Sequence, residues 1–552
     1  MKKIWLDSYP KGVPAEINVD EYQSLIEILN ESVEKYGDKP AFENMGTTYS
    51  FKQLDQKSTD FGAYLQQELA LKHGDRLAIM LPNLLQYPVA IFGAMKAGLT
   101  IINVNPLYTA RELKHQLNDS GADAILIVAN FANTLASIRN DVDLKHVIVT
   151  ELGDALSGFK SLLVNFVVKR IKKMVPKYNL ANAISYKKVM KKGALLTLEP
   201  VVLSQKDVAF LQYTGGTTGV AKGAVLSHGN MVANLLQADA WIKGLIDDGK
   251  EVVITALPLY HIFSLTVNCM LFVKAGGKNI LITNPRDMVG FVKKLSTVKF
   301  SVMTGVNTLF NGLLNTPGFS DLDFSHIKFC LGGGMAVQES VATEWATTTG
   351  AILLEAYGLT ETSPGVSINP MGLKHYNGSI GLPISSTDVS IRDDKGNEVE
   401  QGEPGELWIR GPQVMQGYLN RPEETANVLK PGGWFTSGDI AVMNEKGFLK
   451  IVDRKKDMIL VSGFNVYPIE IENVVSSHEK VMEVGAIGIP SESSGEVVKI
   501  FVVKKDPSLT KEELLAYCKQ NLTGYKRPKE ISFIDELPKS NVGKILRREL
   551  RD

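Results

Sequence analysis

Within six residues, Thr214-Gly215-Gly216-Thr217-Thr218-Gly219, the chain sets three glycines and three threonines, and Lys222 follows. Glycine lets backbone amides approach a ligand closely, threonine hydroxyls add donors, and lysine adds positive charge. Consecutive amides in such a loop form a concave anion site suited to polyphosphate. An ordinary glycine-rich turn is the competing reading of the whole stretch, Tyr213 through Val220, Ala221, Gly223 and Ala224. A Walker loop is excluded, because glycine must precede the lysine and Ala221 stands there. Glu361, beside Thr360, is of the type that binds Mg2+, which takes one or two carboxylates with phosphate oxygens and water. Asp439 reads as an Asx-turn former or as the acceptor for both hydroxyls of a ribose. His261 closes Leu257-Pro-Leu-Tyr-His261, and a lone histidine there is more often structural than catalytic. Lys539 and Lys544 flank a turn ahead of a basic C-terminal segment.

These residues lie at the ends of strand-like runs. Asp207–Tyr213 reads as a strand and 230–237 as the helix beyond the loop. Arg76–Leu81, Thr100–Val104, Ala124–Val128 and His146–Thr150 alternate with helical patterns such as Gln86–Ala97. That alternation predicts parallel sheet with crossover helices, an α/β class. Gly332-Gly333-Gly334-Met335 and Tyr357-Gly358-Leu359-Thr360-Glu361 each follow an apolar run, where ligands enter open α/β sheets. From about residue 380 the texture turns to short alternating segments, read as antiparallel strands of a small β-barrel. The charge-dense stretch Ile451–Ile459 reads as a solvated face or a linker between two rigid bodies.

The whole chain narrows the function classes. Its 552 residues allow three or four domain-sized units, and 44% apolar with 22% charged residues excludes global disorder. Sixty Lys and Arg balance sixty Asp and Glu, so no overall field recruits nucleic acid. Cys269, Cys330 and Cys518 are scattered and odd in number, which fits a reducing cytoplasm and neither a disulfide framework nor a zinc site. An early polar turn argues against a signal peptide, and no apolar run reaches membrane-spanning length. Between residues 155 and 198 ten Lys or Arg occur without Asp or Glu, interleaved with Leu162, Leu163, Phe166 and other apolar residues. This span is a solvated, partly helical insertion or a basic amphipathic element that touches an anionic membrane face.

Taken together, the motifs resemble the adenylate-forming superfamily of acyl-CoA synthetases, adenylation domains and luciferases. The order is that superfamily's own: the Thr-Gly-Gly-Thr-Thr-Gly loop, Tyr260-His261, the glycine triplet, Tyr357–Glu361, Thr436-Ser437-Gly438-Asp439, Asp453–Asp457 and Pro538–Lys544. Gly433–Asp457 is similar to the fatty acyl-CoA synthetase signature, and Val461–Pro468 agrees. Two positions depart: the superfamily usually has proline where Ala221 stands and His-Thr where Thr436-Ser437 stand, and neither removes a charge.

The resemblance implies activation of long-chain fatty acids in two steps, with ATP and Mg2+ giving an acyl adenylate and coenzyme A taking the acyl group. It implies that Lys544 bridges carboxylate and α-phosphate, that Glu361 and Thr217 manage Mg2+, and that the loop from Tyr213 to Ala224 with Lys222 holds the β- and γ-phosphates. Gly334, Met335 and Tyr357 with Gly358, Leu359 and Thr360 would line the nucleotide slot; Asp439 and Arg454 would hold ribose; His261 would stand at the acyl carbonyl. It implies an N-terminal domain of parallel-rich αβ layers over 1–452, a hinge at 453–457 turning about Lys456, and a small mobile α+β domain over 458–552, with Gly463 on the CoA side. Ile262–Leu265 and Thr304–Phe310 are candidate walls of an acyl tunnel. Medium-chain and aryl-CoA ligases, and acyl-AMP ligases that load a carrier protein, share the ATP motifs and stay open. The expected location is cytoplasmic, with peripheral contact at the inner membrane face open, as is the oligomeric state.

Overall fold

The computed structural model describes residues 3–214, 221–491, 494–540 and 543–551. Gly215, Gly216, Thr217, Thr218, Gly219 and Val220 of the glycine loop lie outside the described residues.

The alternating runs of the first half build an eight-stranded sheet. Its order is Gly417–Tyr418, Lys222–Ser227, Val208–Thr214, Thr100–Asn103, Arg76–Met80, Ala124–Val128, His146–Thr150 and Ile184–Ser185. Arg76–Met80 runs parallel to both its neighbours. Every residue of Ala124–Val128 is buried, as expected of a parallel strand covered on both faces by helices. The expected strands fall within a residue or two of the observed ones. The element after the loop differs. Lys222–Ser227 returns antiparallel to Val208–Thr214, so the loop joins a hairpin, and the helix begins only at His228. The helix start is encoded locally: Ser227 and Asn230 form a reciprocal capping box.

A second sheet of nine strands carries the other two glycine motifs. Lys278–Leu281, Val252–Thr255, Val302–Gly305, Phe329–Gly332 and Leu353–Gly358 are its parallel centre. One large apolar core joins both sheets and their helices. The turn-rich region after residue 380 forms a five-stranded antiparallel sheet: Asp388–Arg392, Gly405–Arg410, Trp434–Met443 and Leu429–Lys430 in order, with Leu449–Arg454 also paired to Trp434–Met443. Among the described residues no pairing joins its outer strands, so the expected small barrel is observed as a sheet. Asp439 lies inside Trp434–Met443 and not in a turn.

The C-terminal unit has a sheet and core of its own. Val481–Ser491 pairs with Gly495–Lys504, which also pairs with Ile459–Val461 and Glu530–Phe533, while Pro468–Ser476 and Lys511–Asn521 cover the sheet. The charge cluster 451–459 is solvated only in part, at the exposed Lys455 and Lys456. Asp453 is fully buried and Asp457 nearly so, because both face arginines of the C-terminal segment. The basic span also divides in two. Tyr186–Gly193 buries Tyr186 and Val189 in the main core, and Gly158–Phe166 is the exposed part.

Candidate active site

Four strand ends and one segment from the C-terminal unit converge. Asp439 and Arg454 are direct cross-strand partners, which places the guanidinium Nε 3.4 Å from the carboxylate. The Tyr357 hydroxyl, at the end of Leu353–Gly358, donates to Asp439 at 2.5 Å. Burial, reinforced by the Asp439 charge, pushes the Tyr357 phenol well up, so it stays a neutral donor. The pair buries an acceptor of the type that takes hydroxyls of a sugar.

Glu361 follows on the short turn Thr360–Thr362. Its carboxylate accepts from the Tyr418 hydroxyl at 2.7 Å, and burial raises its pKa. Lys222 lies 5.2 Å from the centre of the Tyr418 ring. Tyr418 is thus the hub between the lysine of the loop and the acid. Sequence reasoning missed it, since a tyrosine after glycine in a turn-rich region carries no charge to mark it. Gly417–Tyr418 reaches the loop hairpin by pairing with Val225 and Ala224. Among the described residues no group of three or more His, Cys, Asp or Glu side chains could enclose a metal. A single buried carboxylate such as Glu361 fits Mg2+ that would arrive with phosphate oxygens and water, without an all-protein cage.

The glycine triplet is braced from below. The Glu355 carboxyl accepts from the Val337 N–H at 2.9 Å, and the Tyr376 hydroxyl donates to the Val337 carbonyl at 2.6 Å and lies 3.0 Å from Glu355. Burial raises Glu355 to about 7. Gly334 is exposed and Met335 partly buried above this brace, while Phe263 packs in the buried core near Gly333. Gly358 turns tightly, since a Cβ there would meet the Pro364 carbonyl at 2.0 Å.

Lys544 enters from the C-terminal unit. Its backbone is pinned to Ser540, accepting from Ser540 N–H at 2.7 Å and donating to Ser540 Oγ at 3.1 Å. Burial, then the nearby Arg454, lowers its pKa to about 7, against the pull of Asp439. Burial and the Lys544 charge hold His261 at about 4, so the imidazole is neutral. The two units touch here: Thr308 Oγ1 donates to the Gly543 carbonyl at 3.1 Å, and the Asn311 amide donates to the Met482 carbonyl at 3.2 Å.

Other predicted residues stand apart. The Tyr213 phenol donates to Asp119 at 2.7 Å, and the ring lies against Gly223. The carbonyl of Ala221 accepts from the His115 ring at 2.9 Å. Thr214 and Lys222 face each other as the last described pair of the hairpin. Leu359 and Thr360 shape the turn through backbone bonds. Gly463 occupies an exposed hairpin turn at φ +84°, with open space where a Cβ would be. Lys456 is partly shielded and lowered to about 8, first by burial and then by Arg454. A second missed residue is Arg547, which grips Glu472 at 2.6 Å and lies 3.3 Å from Asp453 and 3.6 Å from Asp457.

Known proteins carry the same plan. The AMP-binding enzyme family matches residues 29–419, and the AMP-binding enzyme C-terminal domain matches 470–544. A long-chain-fatty-acid–CoA ligase of Yersinia pestis is 61% identical over 552 residues, covering 100% of this chain and 98% of that protein. The solved anthranilate CoA ligase AuaEII, in complex with anthranoyl-AMP, has the same fold: TM-score 0.86 at 22% identity, over 97% of this chain and 98% of that one. ATP-bound MatB from Rhodopseudomonas palustris aligns with TM-score 0.81 at 25% identity, over 97% and 98%. With more than half of its length matched and its full length shared with such a relative, this chain belongs to the AMP-binding enzyme family.

Proposed function

We propose that this protein is an AMP-forming long-chain fatty acid–CoA ligase, using ATP, Mg2+ and coenzyme A and supplying acyl-CoA to β-oxidation and lipid metabolism. A carboxylate resists a thiol because its leaving group would be oxide. In the first step a carboxylate oxygen attacks the α-phosphorus, and pyrophosphate leaves. In the second the CoA sulfur attacks the acyl carbonyl, and AMP leaves in place of oxide. The first step brings an anion against a polyanion, so fixed cations must offset the repulsion. Lys544 is that cation, carried to the carboxylate and α-phosphate by the C-terminal unit. Lys222 and the loop amides would hold the outer phosphates, and Thr217 and Glu361 would hold Mg2+, which would supply positive charge to screen the transferring group. Asp439, Arg454 and Tyr357 fix the ribose, Gly334 and Met335 flank the base, and neutral His261 stands at the acyl carbonyl.

One observation carries this reading: the Gly543–Lys544 segment of a separately cored unit docks on the N-terminal unit, with Thr308 Oγ1 donating to the Gly543 carbonyl at 3.1 Å, which brings the lysine charge toward Asp439 and Arg454. We further propose the domain limits that the family resemblance implies, 1–452 and 458–552, with a hinge at 453–457 turning about Lys456; the separate core of the C-terminal unit supports them. After rotation, Gly463 would pass to the CoA side. Purified protein with ATP, Mg2+, CoA and palmitate or oleate should yield acyl-CoA, AMP and pyrophosphate. Formation of ADP, turnover confined to aryl acids, or transfer only to a carrier protein would overturn it. No helix among the described residues is long and apolar enough to cross a membrane. We infer a cytoplasmic enzyme in peripheral contact with the inner membrane face, where its substrates partition.

A further inference from the structure

Helix Gly158–Phe166 is built inside out. A surface helix normally turns its apolar stripe inward and its polar face to water. Here Ser161 is the buried residue. Asn165 ties the inner side down, accepting from the Gly153 N–H at 2.7 Å and donating to Asp154 at 2.9 Å. Val164 packs against the core, but Phe159 is 76% exposed, Leu162 62% and Phe166 56%. The chain continues through Val167–Ile171, where Ile171 is 64% exposed, and on to exposed Met174. Large apolar side chains held outward on an anchored helix form a patch that water alone does not stabilise.

The charges around the patch decide what covers it. Lys160, Lys169, Arg170, Lys172 and Lys173 are all exposed. Lys169 pairs with Glu151 at 3.0 Å, while Arg170, Lys172 and Lys173 form no ion pair among the described residues. A second copy of this face would set cation against cation. An anionic surface that is apolar beneath its charges satisfies both features, and a lipid bilayer has that layering. We propose that Gly158–Phe166 and the turn after it lie flat on an anionic bilayer, with Phe159, Leu162, Phe166 and Ile171 entering the headgroup boundary and Arg170, Lys172 and Lys173 over lipid phosphates. The assignment rests on the peripheral location inferred above and names the surface responsible. The Asn165 anchor fixes this surface to the sheet that carries the glycine loop, so docking orients the whole N-terminal unit.

The test sediments the full-length protein with phosphatidylcholine vesicles, with and without phosphatidylglycerol. Binding should require the anionic lipid and weaken with salt. Arg170→Gln/Lys172→Gln/Lys173→Gln should weaken it about a hundredfold, at about 1 kcal/mol for each cation. Phe159→Ser/Leu162→Ser/Phe166→Ser should abolish the salt-resistant remainder. Phe166→Trp should shift its fluorescence to the blue on vesicles, reporting insertion and not charge alone. All of these side chains are exposed, so melting temperatures and turnover of albumin-delivered palmitate should stay unchanged. Vesicle binding at the wild-type level by both triple variants would overturn the proposal. So would a wild type that ignores anionic vesicles, or a wild-type dimer that the serine variant splits. Loss of palmitate turnover in the wild type with vesicle binding intact would sink the ligase reading and leave the docking surface standing.

Discussion

At the scale of single residues, the unliganded site holds Lys544 where it is only partly charged near neutral pH, at about 7. Polyphosphate would restore the full charge, so ATP binding should take up protons near pH 7, measurable by calorimetry in buffers of different ionisation enthalpy. The protonated lysine is the productive form. On this limb kcat/KM for ATP should therefore fall as pH rises through about 7, toward tenfold per unit. His261, held at about 4, is neutral throughout that window and adds no second limb there. Lys544→Ala should slow adenylate formation roughly a thousandfold, since a screened ion contact is worth about 4 kcal/mol. Formation of acyl-CoA from synthetic acyl-AMP should survive. Equal losses in both half-reactions would count against a rotating domain. Tyr418 acts through its neighbours. Tyr418→Phe removes a hydrogen bond to a charged acceptor worth about 1.5 kcal/mol, so the half-saturating Mg2+ concentration should rise about tenfold. A change in thermal stability with unchanged Mg2+ dependence would make Tyr418 merely structural.

At the scale of elements, two glycines in turns of the C-terminal unit have different reasons to be glycine. Gly543 has φ +82°, and a Cβ there would meet Thr308 Oγ1 of the N-terminal unit at 2.6 Å. Gly543→Ala combines backbone strain of about 1 kcal/mol with that clash, so adenylation should drop tenfold or more while the isolated thioester step is spared. Gly463 needs its positive φ for the hairpin between Ile459–Val461 and Phe464–Val466, whatever its later role. Leucine there would mix strain with obstruction. Gly463→Asn tolerates the left-handed backbone and still adds a side chain. It should leave adenylate formation within about twofold. A selective loss of the thioester step would locate the CoA path, and an unchanged step would leave Gly463 a turn residue.

At the scale of the whole molecule, Arg547 of the C-terminal unit holds both ends of the proposed hinge, Asp453 and Asp457. Asp453, next to last in strand Leu449–Arg454, accepts from the Ile469 N–H at 2.9 Å and faces Arg547, while Glu472 belongs to the helix beyond. A rotation about Lys456 must break the Asp453 contacts. Arg547→Met would leave Asp453, Asp457 and Glu472 without their shared cation, at a cost of about 3 kcal/mol or more in a buried cluster. The melting temperature should fall, and adenylation should fall more than thioester formation. Calorimetry and the two half-reaction assays check this together. Burial holds Asp453 at about 6, with Arg547 opposing the rise. Protonation favours the arrangement that holds the carboxyl at the higher pKa, so where rotation exposes Asp453 the buried, adenylating arrangement should gain stability as pH falls through about 6, even though the ion contact with Arg547 weakens.

The parallel sheets and the glycine motifs at strand ends were legible in the chain itself, whereas Asp439 read as a turn residue and proved to lie within a strand. Those signals are local: period-two apolar runs, loop glycines and capping residues sit within a few positions of one another. The hairpin after the glycine loop was not legible, since Lys222–Ser227 is a strand only because Val208–Thr214 and Gly417–Tyr418 pair with it. The same holds for the buried charges at Asp453 and Asp457, which read as solvated until Arg547 and Arg551 arrive from 94 residues away. Tyr418 and Glu355 carry their roles entirely in what they touch. The inside-out helix is the clearest division. The sequence by itself determined that a span of ten cations without an acid would be unusual. Only the tertiary structure decided that Tyr186 and Val189 go into the core while Phe159, Leu162 and Phe166 do not. Composition reports how much apolar surface a segment has, and packing alone determines which of it meets water.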